Sequence, residues 1–257
     1  MTAIVRVCTR QGFVIAADGR RRRTEDWKTF ETISDSVQKI FDLQGSGRCL
    51  AYGLAGSVSV PDENGKVELD FATEAQSAVE RLRNIEPAEF KSYVERFGRL
   101  LNGALRDMNA RGGSRWPLVS NRGDGTVLNA YFVGYYFGVP SWAHLRLVQL
   151  EGKSTSVQLD SPLARPGRIE LMGSHPMSDL LYEHKDRRFA QYIRPKPDRA
   201  EDLTLQEAII VAENYIRACS EPLAAQIDPE CAAIGGHVHS ATITPRHGFR
   251  WVTGPVK

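Results

Sequence analysis

The order of elements along this chain predicts an α+β fold, built as a four-layer αββα sandwich of two antiparallel sheets. Two observations carry that expectation. Strands and helices come in runs of like kind (strands, helices, strands, helices, strands) rather than in βαβ alternation. Two early pairs of short apolar runs are each joined by turn-forming residues, as hairpins are. The economical arrangement packs the sheets face to face with helices outside. No composition shift or linker divides the chain, so residues 1–257 are read as one domain.

The first hairpin joins residues 3–8 to residues 13–17, both β-branched and apolar, across Arg10-Gln11-Gly12. The second joins residues 36–43 (SVQKIFDL) to residues 49–55 (CLAYGLA) across Gln44-Gly45-Ser46-Gly47. Helices are predicted over residues 70–82 and 87–111. In the longer one Phe90, Tyr93, Val94, Phe97, Leu101 and Leu105 recur at helical spacing, with Gly112-Gly113 as a stop. Residues 127–138, 144–150 and 154–159 read as strands, residues 176–190 as a helical segment and residues 203–220 as a helix. Residues 237–244 and 248–252 close the chain as a strand pair. Arg20-Arg21-Arg22-Arg23 reads as a solvated loop, with a substrate- or partner-facing patch as the other option.

Composition is that of an ordinary soluble protein, 42% hydrophobic and 25% charged. The net charge of +2 gives no pointer to nucleic acid or a membrane surface. No apolar run approaches the roughly 20 residues of a membrane span, and no signal peptide is predicted. Cys8, Cys49, Cys219 and Cys231 are scattered without zinc spacing, which predicts reduced thiols in a cytoplasmic protein. His237 and His239 share one strand face but lack a third ligand, so no metal and no cofactor is expected. GxxxxGK[ST], GxSxG and HExxH are all absent, which weighs against an ATPase, a serine hydrolase of that type and a zinc protease.

The chemistry gathers at the front. A hairpin turning near Arg10-Gln11 brings residue 18 or 19 opposite Thr2, so Asp18 returns beside it. Met1 precedes a small residue, and its removal would leave Thr2 with both a hydroxyl and a free α-amine, a nucleophile with its own base. In SVQKIFDL, strand alternation puts Lys39 on the apolar face with Val37, Phe41 and Leu43, and Gln38, Ile40 and Asp42 on the other. A lysine aimed into a core needs a partner, and Asp18 is the expected one.

Thr2, VIAADGR with its Asp sixteen residues on, VQKIF and YGLAG together resemble a proteasome-type β subunit of the N-terminal-nucleophile hydrolases, over residues 2–56 and, more weakly, through the late helix and closing strands. The resemblance implies the αββα fold and a threonine-type endopeptidase. In it Thr2 is the nucleophile, Asp18 and Lys39 its catalytic partners, and the Gly56 N–H the oxyanion donor. It also implies a supporting Ser at Ser174, in Gly173-Ser174-His175, which lacks the family's last glycine. A supporting carboxylate follows the late helix. Asp228 is the nearest match, though its spacing is longer than the family's, and Glu221 competes for the role. The implied partners are like subunits in a ring or helical stack, a peptide or unfolded-protein substrate, and a separate ATP-dependent unfoldase. The loop between Asp18 and Lys39 with Trp27, residues 57–69, and residues 140–144 with Trp142 are longer than the family pattern and suggest a divergent bacterial relative. Each residue alone has an ordinary structural role; their joint spacing carries the catalytic reading. The alternatives are a silent assembly subunit of the same fold and a small-molecule amidase of the same group.

Overall fold

Both faces of each central sheet are covered, which is why so many strand residues are apolar on both sides of the pleat. The structure, a computed structural model, describes residues 2–23, 31–61, 67–83, 89–111, 125–149, 155–184, 186–193 and 200–256. Met1, Trp27, residues 87–88, Gly112-Gly113, Leu150 and Ser154 lie outside the described residues.

Strands β1 (Ile4–Thr9) and β2 (Gly12–Asp18) form the first hairpin, in register from Ile4↔Ala17 to Thr9↔Gly12. The Arg run is not simply loop: β3 (Arg21–Arg23) pairs with β4 (Glu31–Ser34) as a small ribbon. The second hairpin is β5 (Ile40–Gly45) with β6 (Arg48–Gly56). Within the 57–69 elaboration, β7 (Ser59–Pro61) pairs with β8 (Val67–Asp70) and leads into α1 (Phe71–Leu82), where the Asp70 carboxylate accepts from the Ala72 N–H. Helix α2 spans Phe90–Ala110. Next come β9 (Thr126–Tyr136), β10 (Val139–Gln149), β11 (Thr155–Asp160) and β12 (Ile169–Met172). The 176–190 segment resolves into α3 (His175–Asp179), a π turn at Leu180–His184 and a 3-10 turn at Arg187–Phe189. Helix α4 (Leu205–Cys219) opens on a full capping box of Thr204 and Glu207. A one-turn α5 (Ala224–Ile227), a 3-10 turn (Pro229–Ala233), β13 (Val238–Thr244) and β14 (Gly248–Thr253) complete the order.

One sheet runs β12-β1-β2-β13-β14 and the other β11-β10-β9-β6-β5, both antiparallel throughout. Between them Ile4, Phe13, Ile15 and Ala17 meet Ile40, Ala51, Ala55, Tyr131, Val133 and Trp142. Helices α1 and α2 cover the second sheet, where Phe97 lies 5.5 Å from Tyr52 and 5.2 Å from Phe132, ring centre to ring centre. Helix α4 covers the first, with Ile209, Ala212, Tyr215 and Ile216 over Val5, Val7, Val14 and Ala16.

Three expectations change. Residues 140–144 belong to β10, with Trp142 buried between the sheets. Pro140 is tolerated there because β11 first pairs at His144, so its missing N–H breaks no bond on that side. Strand β12 was not predicted, being four residues long between turns, yet it supplies the edge beside β1. Strand β5 begins only at Ile40. Ile40 is buried between the sheets while Phe41 and Leu43 face the helices, so alternation does not divide this strand into apolar and polar faces, and Lys39 precedes it.

Arg6 ties the sheets together. Fully buried, it donates to the Phe132 carbonyl at 3.0 Å and the Ala143 carbonyl, pairs with Glu170, and lies 4.3 Å from the Trp142 ring centre. Burial lowers its pKa to about 10, which leaves it charged at neutral pH.

Phe97→Ala is expected to cost about 3–5 kcal/mol, read as a lower denaturation midpoint, because it opens a cavity inside the aromatic cluster.

Candidate active site

The β1–β2 register carries past the hairpin: Asp18 N–H donates to the Ala3 carbonyl at 3.2 Å, which sets Thr2 opposite Gly19. The Asp18 side chain is fully buried at this strand end. One oxygen accepts from the Lys39 ammonium at 2.9 Å and the Ala3 N–H at 2.9 Å; the other accepts from the Gly235 N–H at 3.2 Å and the Arg20 N–H at 3.3 Å. Four donors thus meet the two oxygens of this solvent-inaccessible side chain.

Lys39 is 5% exposed, and its ammonium reaches the Thr2 hydroxyl oxygen at 3.2 Å. Burial holds its pKa below the usual lysine range, and the attraction of Asp18 only partly offsets this. A hydroxyl oxygen that accepts from a cation is better able to lose its own proton, so the contact favours a nucleophilic Thr2.

Gly56 ends β6 with φ +106°, and an added Cβ would sit 2.5 Å from the Val127 carbonyl oxygen, so the turn demands glycine. Leu54 N–H donates to the Lys39 carbonyl at 3.0 Å, and Ser57 N–H turns the other way to Val127 O at 2.9 Å. Strand N–H groups alternate in direction, so the Gly56 N–H faces the Lys39 side.

Ser174 follows β12, and the β1–β12 register carried two residues on sets it opposite Thr2. Its hydroxyl accepts from the Met177 N–H at 3.1 Å as the cap of α3, and its carbonyl accepts from the Tyr215 hydroxyl at 2.9 Å. Asp228 caps the following 3-10 turn by accepting from the Glu230 N–H at 3.0 Å, and Glu221 accepts from the Tyr192 hydroxyl. Thus Thr2, Asp18 and Lys39 are brought into one hydrogen-bonded chain with Gly56 turned toward it. Ser174 lies alongside, and no described hydrogen bond joins Ser174, Asp228 or Glu221 to Thr2.

Sequence reasoning missed the Arg20 amide, a local donor two residues on from Asp18, and the Gly235 amide, which meets Asp18 because β13 pairs with β2. His237 and His239 turn out to face carbonyls: His237 Nε2 meets Gly254 O at 2.8 Å and His239 Nε2 meets Val37 O at 3.0 Å. Among the described residues no group of three or more His, Cys, Asp or Glu side chains is arranged to hold a metal ion.

Beside Gly56, Asn129 is registered with Ala55 and accepts from His144 Nε2 at 2.8 Å; the His144 ring stacks on Tyr131 with centres 4.4 Å apart. Burial, reinforced by the charges of Arg6 and Arg146, lowers the His144 pKa to about 3 and keeps the ring a neutral donor.

The fold is the four-layer sandwich of the N-terminal-nucleophile type. Among solved structures the chain is similar to a (Gly-1) mutant of Anbu from Hyphomicrobium sp. strain MC1, at 15% identity and TM-score 0.50, covering 98% of this chain and 87% of that one. At that identity the likeness is one of fold. No protein-family profile and no curated protein matches the sequence.

Two outcomes follow. Lys39→Ala is expected to destabilise the fold by about 3–5 kcal/mol in chemical denaturation, because it strands the buried Asp18 carboxylate. His144 is expected to show no NMR titration between pH 8 and pH 5. Its folded pKa lies below the ordinary 6.5, so the folded state takes up its proton later than the unfolded chain. Its contribution to stability is therefore complete above 6.5 and declines as pH falls toward 3, and His144→Gln should flatten that acid decline.

Proposed function

We propose that the chain is a proteasome-like, threonine-type peptidase in which Thr2, freed by removal of Met1, attacks a peptide carbonyl. The observation that carries this reading is the Thr2–Lys39–Asp18 hydrogen-bonded chain at the strand end, with Lys39 and Asp18 buried. The Thr2 α-amine takes the hydroxyl proton, directly or through a water, while the Lys39 cation stabilises the developing alkoxide. Asp18 holds Lys39 in place through the ion pair. The Gly56 N–H donates to the carbonyl oxygen as it gains charge. The amine then returns the proton to the leaving nitrogen, and water clears the acyl-enzyme. Lys39 acts as a fixed positive group and needs no proton of its own to move.

The remaining parts of the reading rest on the resemblance. Like subunits assemble in a ring or helical stack, the substrate is a peptide or unfolded segment, and an ATP-dependent unfoldase is a separate chain. Four cysteines that are all free support placement in a reducing compartment, the cytoplasm. No described helix is long and apolar enough to cross a membrane.

Intact mass before and after treatment with an α,β-epoxyketone peptide tests this, since the reagent closes its ring on a hydroxyl and a free amine of one residue. The expected result is loss of Met1 and a single adduct that vanishes in Thr2→Ala. A chain that retains Met1 and stays unlabelled would instead indicate a silent assembly subunit. Labelling together with turnover of small amides by a small oligomer would indicate an amidase.

A further inference from the structure

The segment that carries Lys39 has no ladder of its own. Strand β5 starts at Ile40, and residues 36–39 are neither strand nor helix. Contacts from other parts of the chain locate the backbone of this segment: His237 N–H to Asp35 O at 2.6 Å, Val37 N–H to Gly19 O at 2.9 Å, Leu54 N–H to Lys39 O at 3.0 Å, and His239 Nε2 to Val37 O at 3.0 Å; the Arg20 guanidinium also pairs with the Asp35 carboxylate at 2.7 Å. Three are backbone bonds that any sequence could make. The other two depend on side chains, and the His239 bond is the one that reaches Val37, two residues before Lys39.

That side chain sits where an apolar residue would be expected. His239 lies on β13 opposite Ala17 and is fully buried. Its Nδ1 is buried beside the Gly254 carbonyl, which also accepts from His237 Nε2 at 2.8 Å. Taking a polar ring out of water is a cost that a Phe or Leu would avoid. What the imidazole adds is a donor at the far end of the ring, aimed at the carbonyl two residues before Lys39.

We propose that His239 is a positioning residue: by donating from Nε2 to the Val37 carbonyl it sets where the Lys39 ammonium stands between Thr2 and Asp18. Burial, reinforced by His237 and Lys39, lowers the pKa of the ring, and Nε2 can donate to the Val37 carbonyl in either protonation state. The contact does not depend on the peptidase reading, but its catalytic consequence rests on it.

The test compares His239→Gln with His239→Asn in the full-length chain. The Gln amide reaches about as far as Nε2, whereas the Asn amide reaches only about as far as Nδ1. Both are polar and smaller than the ring, so a difference between them reports reach rather than packing. Two readouts are taken: the NMR titration of Lys39 in lysine-labelled protein, and the rate at which the epoxyketone forms its adduct on Thr2, separated into affinity and maximal rate. With Gln both should stay near wild type. With Asn the maximal adduct rate should fall on the order of tenfold at little change in affinity, and Lys39 should titrate closer to an ordinary lysine. An Asn variant that behaves as wild type overturns the proposal, as does equal loss in both variants. If wild-type protein forms no adduct on Thr2, the peptidase reading fails, and the Lys39 titration alone decides whether His239 positions it.

Discussion

The buried carboxylate of Asp18 is the constraint around which the rest of this structure is arranged. A charge with no access to water is tolerable only when its oxygens are filled by donors, and here they are filled from four separate parts of the chain: Ala3, Arg20, Lys39 and Gly235. Arg20 is a neighbour in the chain, but the other three donors each depend on a different pairing of segments. Ala3 needs the first hairpin, Gly235 needs β13 beside β2, and Lys39 needs the two sheets face to face. The carboxylate therefore registers whether both sheets have come together, and the same act of assembly places the Lys39 cation against the Thr2 hydroxyl.

The layered architecture explains why such a charge pair is affordable at that point. At the strand ends the apolar interior of the sandwich gives way to turns, and their backbone N–H groups are free to point inward. Further in, the charge of comparable burial between the sheets among the described residues is Arg6, which is satisfied by carbonyls of β9 and β10 and by Glu170. Arg6 and Lys39 solve the same problem in opposite ways. Arg6 spreads a delocalised cation over carbonyls and an aromatic face; Lys39 concentrates a point charge on one carboxylate and one hydroxyl. Only the second arrangement leaves a reactive oxygen within reach.

Much of the front end is legible in the sequence because it is local. The tight turn at Arg10-Gln11 sets the hairpin register, and register alone returns Asp18 to the start of the chain. The alternation argument for Lys39 named the right partner for a reason that does not hold: the residue lies outside the strand, and its direction comes from contacts with β13 and β6. Ser174 arrives opposite Thr2 through β12, a strand too short to read, and its hydroxyl is occupied in capping α3. The carboxylates after α4 satisfy local turns and side chains, roles that no spacing rule distinguishes from a catalytic one.

The sequence by itself determined the sandwich, the main helices, and the return of Asp18 beside Thr2, because periodicity and hairpin register act over a few residues. Only the tertiary structure decided that the Gly235 amide reaches Asp18, which carbonyl His239 meets, and that Arg6 joins the sheets. Those contacts cross from one strand to another that is distant in the chain, and their energy comes from removing charge and polar atoms from water, a condition that exists only once both sheets and their helices have closed over the site.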